Sequence, residues 1–173
     1  MRAFEYLGND PERWRSIAEA LTYNAGVLTQ HRLEHENDRV EYQKKHGIGP
    51  VDMEFSGLLL WGYAVECFLK TVYLKRGGRL AAHDRYIGSG GHDLVHWAAK
   101  AKFPLTGSQQ RILKHLEIMT TWSGRYPIAT TPGKTSVGHY WSAPEDDFVL
   151  ERLIGSLRLE IANCQGASVQ TIN

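Results

Sequence analysis

From Phe55 to Leu69 the chain reads FSGLLLWGYAVECFL, and Glu66 is the only charge in it, with Lys70 following one helical turn later. On a helical wheel Phe55, Leu58, Leu59, Val65, Leu69 and Val72 form one face, while Leu60, Trp61, Ala64 and Phe68 cover much of the rest. A helix apolar nearly all round is surrounded by other helices or by a partner subunit. A carboxylate within it is costly to bury unless paired or hydrogen-bonded, so Glu66 must find partners. Glu66 interrupts the run short of the roughly 18 residues a membrane span needs, so the segment reads as the core helix of a bundle.

The flanking segments carry helix signals of their own. Asp10-Pro11-Glu12 offers an N-cap, a proline at the first helical position and an acid in the first turn. Trp14, Ile17, Ala18, Leu21, Ala25 and Leu28 then follow helical spacing, which decays in the charged stretch from His31 to Lys45. Asp52 can cap the central helix, expected to reach Arg76 and close at Gly77-Gly78. The glycine-rich Gly88-Ser89-Gly90-Gly91 precedes a third helix over 92–102. Ser108 opens a fourth, with Ile112, Leu113, Leu116, Met119 and Trp122 in phase and Gly124 ending it. After a long loop, 127–142, Pro144-Glu145-Asp146-Asp147 starts a last helix that buries Phe148, Leu150, Leu153, Ile154, Leu157 and Ile161. Strand-type alternation is nowhere sustained. The expectation is an all-α, single-domain bundle of about five helices in up-down order, occupying 1–173 with its core over 12–164.

Charge excludes one class of function. Lys plus Arg number 20 against 19 Asp plus Glu, so there is no overall basic footprint of the kind a dedicated duplex-DNA binder carries. Cys67 and Cys164 lack metal or redox spacing and read as free thiols of a reducing cytoplasm. The N-terminal MRAFEYLGNDPERW is not organised as a signal peptide, and a cytoplasmic protein with no membrane attachment is expected. No cofactor and no metal site are expected. His31-Arg32-Leu33-Glu34-His35 matches a zinc-hydrolase spacing, but it falls where the first helix turns to solvent, so His31 and His35 read at most as an adventitious metal position. Gly133-Lys134-Thr135 looks like the end of a phosphate-binding loop, yet Ile128 stands where its first glycine belongs.

Four helical segments thus bracket a sparse polar set: Glu66 and Lys70, then His92-Asp93-Leu94, then Arg125-Tyr126-Pro127. That order, with an acidic-start final helix behind it, resembles the HEPN domain family, named for nucleotide binding in higher eukaryotes and prokaryotes, over about residues 12–164. The resemblance implies a helical bundle, commonly a homodimer. It also implies work beside a nucleotidyltransferase in prokaryotic toxin–antitoxin or defence systems, with a nucleotide or RNA as ligand. One subset of the family are metal-independent RNases in which Arg and His, with four to six residues between them, meet in a dimer cleft.

Arg85 and His92, with six residues between them, are the pair of that spacing. His92 would be the base that activates a ribose hydroxyl, with Arg85 or Arg125 as the cation. Tyr86 departs from the family pattern, which favours a small polar residue after the arginine. Arg125, Lys70 and Lys134 are the candidate nucleotide- or phosphate-binding residues. Glu66, Lys70, His92, Asp93, Arg125 and Tyr126 form the expected structural network, in which Glu66 accepts a hydrogen bond from His92 or Arg125. Three functions stay open: a nucleotide- or RNA-binding module, an RNase toxin, and a non-catalytic helical adaptor.

Overall fold

The computed structural model describes residues 3–47, 53–88, 90–123, 141 and 144–166. Within them the chain is an all-α protein of seven α-helices and a two-stranded hairpin. The helices are α1 (Ala3–Gly8), α2 (Pro11–Glu34), α3 (Glu36–His46), α4 (Met53–Lys75), α5 (Leu94–Lys100), α6 (Gly107–Ile118) and α7 (Glu145–Gly166). The strands are β1 (Ala81–Ala82) and β2 (Arg85–Tyr86), and α6 runs on into a π-helical turn, Met119–Ser123.

Helix α4 is central, packing against α2, α5, α6 and α7. Its Val65, Phe68, Leu69 and Val72 meet Leu94, Trp97, Ile112, Leu116, Leu153 and Leu157 in one core. By length and composition Ser56–Lys75 is apolar enough to cross a membrane, contrary to the sequence expectation, but 72% of that stretch is buried inside the protein. Its apolarity serves the core. Gly62 permits the tightest helix crossing: a Cβ there would stand 2.4 Å from Thr120 Cγ2 and 3.3 Å from the Leu116 carbonyl.

Seven helices stand where five were expected, the two additional ones being the short α1 and α3. Helix α3 occupies the charged stretch in which the first helix was expected to fade. Lys44, Lys45 and His46 lie in its last turn, where they complement the helix dipole, and Gly47 ends it with φ of 60°. Helix α1 is held by tertiary contacts rather than by its own sequence. Asn9, just beyond it, accepts the Leu80 and Ala81 N–H groups at 2.7 and 3.0 Å and donates to the Ala81 carbonyl at 2.8 Å. Gly8 allows this approach, since a Cβ there would fall 2.6 Å from that of Ala81.

The caps place the functional elements. Asp10 caps α2 by accepting from the Glu12 N–H at 3.0 Å, as its sequence suggests. Helix α6 starts one residue before Ser108, on a Thr106–Gln109 capping box. Helix α5 starts two residues later than expected: Asp93 is its N-cap and accepts from the His96 N–H at 2.7 Å, which leaves His92 outside the helix. In α7, Leu150, Leu153, Ile154, Leu157 and Ile161 are buried, but Phe148 is 58% exposed. At 100° per residue Phe148 lies roughly 120° or more from each of those five, off the buried stripe.

Candidate functional site

Glu66 lies on the buried face of α4 with its side chain only 7% exposed, and it gathers two partners. One carboxylate oxygen is 2.5 Å from the Lys70 ammonium, equally buried on the next turn of the helix; the other is 2.8 Å from His92 Nδ1. The carboxylate that the apolar helix cannot leave unpaired is therefore bonded within α4 and across to the loop that enters α5. Asp93 takes the capping role, so the His92 ring is available to Glu66.

Aromatic rings enclose the ammonium. Lys70 Nζ stands 4.7 Å from the centre of the Trp14 ring, 5.1 Å from Trp97 and 5.3 Å from Tyr86. Each ring face attracts a cation, and more strongly where water is excluded. Burial alone would lower the Lys70 pKa, but the charge and hydrogen bond of Glu66, with help from Tyr86, outweigh it and hold the ammonium above the usual lysine value. Lys70 is accordingly a core cation, its side chain 7% exposed.

The two tryptophans are placed by one device used twice. Trp14 Nε1 donates to the Gly8 carbonyl at 2.9 Å and Trp97 Nε1 to the Gly91 carbonyl at 3.0 Å. The segments read GNDPERW and GHDLVHW, a shared Gly-x-Asp-x-x-x-Trp in which the Asp caps the helix and the Trp reaches back over its start. This short repeat was the sequence signal for the aromatic cage, and the reading from sequence passed over it.

Tyr86 reaches the cage from the hairpin. Ala81 pairs with Tyr86 and Ala82 with Arg85, and successive strand residues point to opposite faces. Tyr86 shares the face of the buried Ala81 and Arg85 that of Ala82, and both residues of β2 are exposed. Gly88 admits the Tyr86 ring; a Cβ there would stand 2.2 Å from its hydroxyl. The turn, His83-Asp84, has φ of 51° and 57°, so two non-glycine residues adopt the left-handed region to make it. Arg85 is therefore directed to the strand face opposite that of Tyr86.

His92 forms the accessible end of the cluster. Its side chain is 36% exposed, and the Tyr63 ring meets it edge-on with centres 5.4 Å apart. Among the described residues no hydrogen bond engages its Nε2. Tyr63 was also missed by the sequence reading, for it looked like one more apolar position of the central helix. Arg125, Tyr126 and Lys134, expected at this site, lie outside the described residues, as does the loop 127–142 apart from Trp141.

Other titratable groups lie nearby. Burial, then the Glu66 charge, pushes the Cys67 thiol up to about 12, which leaves it inert. Glu117 accepts the Val95 N–H at 2.9 Å, and burial raises its pKa, with Asp93 adding to the effect. On α6, Arg111 is bonded to the buried Asp146 at 2.7 Å, and His115 is buried beside the Trp141 ring. The His35 ring stacks on His31 and bonds Asp38 at 2.8 Å. Among the described residues no group of three His, Cys, Asp or Glu side chains is placed to hold a metal.

No protein-family model, no curated protein and no solved structure matches this chain.

Proposed function

We propose that this chain is a HEPN-type helical bundle acting as a cytoplasmic nucleotide- or RNA-binding module of a prokaryotic toxin–antitoxin or defence-type system. In this reading it works as a homodimer beside a nucleotidyltransferase partner. The all-α architecture supports the family resemblance, and one observation carries the binding reading. His92 is tied to the core through Nδ1, exposes part of its ring, and is flanked by Tyr63, while the half-exposed Tyr86 lies on the other side of the Glu66–Lys70 pair. Partly exposed aromatic and imidazole rings on a rigid base are what stacking on a nucleobase requires. Arg125 and Lys134 supply the phosphate contacts in this reading.

The test is saturable binding of an RNA oligomer, followed by fluorescence anisotropy. His92→Ala, Tyr86→Ala and Arg125→Ala should each weaken it about tenfold or more. Binding that survives all three removes the site.

A second reading is a metal-independent RNase toxin, and the Glu66–His92 pair favours it, because a carboxylate behind an imidazole orients a general base. Cleavage of total RNA in EDTA, abolished by His92→Ala and by Arg85→Ala, would establish it. Neither binding nor cleavage, with a tight protein complex instead, would leave the helical adaptor.

A further inference from the structure

Helices α2 and α7 both pack on α4. At one level they are bridged directly: Arg158 donates from Nε at 3.0 Å and from Nη2 at 2.5 Å to the two carboxylate oxygens of Glu19. Farther along, α2 presents Gly26, Thr29 and Gln30, α7 presents Asp147, Leu150 and Glu151, and a cleft of about 290 Å³ opens between them with Trp61 of α4 in its wall. Each helix gives the cleft an i, i+3, i+4 face, and the order of the two sets beyond the Glu19–Arg158 bridge shows that the helices run antiparallel. Trp61 is partly buried against the core, which fixes its indole from behind. Gly26 widens the cleft. A Cβ there would meet nothing within 4 Å, so no contact of the protein calls for a glycine at this point inside a helix, where it is unfavourable relative to alanine.

The polar groups of the cleft offer acceptors. Asp147 takes the Trp141 indole N–H at 2.8 Å on one oxygen, and Glu151 has no hydrogen bond or ion pair among the described residues. The Thr29 hydroxyl donates to the Ala25 carbonyl at 2.9 Å and the Gln30 amide to Glu34 at 2.8 Å, which leaves both side-chain oxygens as acceptors. Where Arg158 meets Glu19 a cation joins the two helices, but among the described residues no lysine or arginine lines the cleft to match its two carboxylates. An ammonium, with three donors and no acceptor, fits such a set; the Trp61 ring attracts its charge and Leu150 packs an aliphatic stem.

We infer that this cleft binds a small aliphatic diamine in its protonated form, one ammonium at Asp147 and the other at Glu151. The two carboxylates are one turn apart on α7, with about 5–6 Å between their Cβ atoms, a span that roughly three or four methylenes cover. The volume is at the small end for a ligand cavity, which suits a molecule of this size. The cleft shares no residue with the Glu66–His92 cluster, and the inference does not depend on what that cluster meets.

Butane-1,4-diamine is the probe, with butylamine and the neutral butane-1,4-diol as comparisons, each titrated by calorimetry and by NMR of the Trp61 indole N–H. Wild type should bind the diamine saturably with a shift of the Trp61 signal, bind butylamine about tenfold more weakly, and leave the diol unbound. Two variants place the site. Glu151→Gln, at an exposed position, should weaken the diamine about tenfold, the loss of one charge-assisted hydrogen bond. Gly26→Met sends a side chain into the open space of the cleft and should abolish binding while melting at or above the wild-type temperature. Absence of saturable diamine binding by wild type overturns the inference, and so does equal binding of the diol. Diamine binding that both variants leave unchanged overturns it too, by placing the amine elsewhere on the surface. Should Gly26→Met fail to fold, Glu151→Gln decides alone.

Discussion

His92 Nδ1 stands 2.8 Å from Glu66 Oε2, which ties the loop entering α5 to the middle of the central helix across 26 positions of sequence. The same carboxylate holds Lys70 at 2.5 Å, so one buried anion organises a local and a long-range contact at once. The energetic and functional expectations below follow from that double attachment.

Breaking the buried pair should cost more than replacing it. Lys70→Met or Glu66→Leu alone leaves an uncompensated charge in the core and should lower stability by about 3–5 kcal/mol. The double variant Glu66→Leu with Lys70→Met removes both charges while keeping volume, and should lose much less than the sum of the single changes. Urea unfolding of the four proteins of this cycle measures the coupling. Additive losses would mean that the two side chains do not depend on each other.

The same pair has a pH signature. Burial works against the Lys70 charge, but Glu66 outweighs it and raises the folded pKa above the ordinary 10.5. Its contribution is thus fully present below the unfolded lysine value and is lost as pH rises through the folded one. Above about pH 10 wild type should lose stability faster than Glu66→Leu with Lys70→Met, in which nothing at these positions titrates. Parallel pH profiles would contradict the raised pKa.

Glu117 should act at the acid end of the scale, and there too stability declines as pH rises. Burial, with Asp93 close by, raises its folded pKa above 4.5, so the folded state binds the proton more tightly than the unfolded chain does. Its effect on stability is favourable at acid pH and declines as pH rises through that window. Glu117→Gln keeps an acceptor for the Val95 N–H and should equal or exceed wild type near neutral pH, the advantage vanishing toward pH 4. Thermal melts across that range give the comparison. A variant less stable at neutral pH would show that the ionised carboxylate is needed there.

The hairpin turn holds strain that can be relieved. His83 and Asp84 both have positive φ, where Asn and Gly are better suited. Replacing His83 by Asn, which keeps the backbone N–H that bonds Glu5 at 2.6 Å, should raise stability by about 0.5–1 kcal/mol. A loss of stability would mean that the His83 side chain holds the turn by a contact of its own.

Much of this architecture was legible because local chemistry and tertiary need agree. Asp10-Pro11-Glu12 starts a helix by its own capping, and an isolated carboxylate in an apolar helix has to find partners, here Lys70 and His92. The elements that were not legible are held by contacts distant in sequence. Helix α1 depends on Asn9 bonding residues 80 and 81, and the hairpin is two residues a side, too short for alternation to register. Phe148 misled because apolar character alone does not fix the side of a helix it lies on. The cage around Lys70 escaped notice because Trp14 reads as one more core position of its helix and Tyr86 only as the residue after Arg85, although the repeated Gly-x-Asp-x-x-x-Trp marks Trp14 and Trp97.

The central claim is that the His92 face, organised by Glu66, is where this protein meets its ligand. An NMR titration with a single-stranded RNA oligomer, following the imidazole of His92 and the ring signals of Tyr63 and Tyr86 against those of the remaining aromatic residues, tests it directly. Saturating shifts concentrated on His92, Tyr63 and Tyr86, and absent in His92→Ala, are the predicted result. Saturating shifts that leave these three rings unmoved, or none at any RNA concentration, would contradict it.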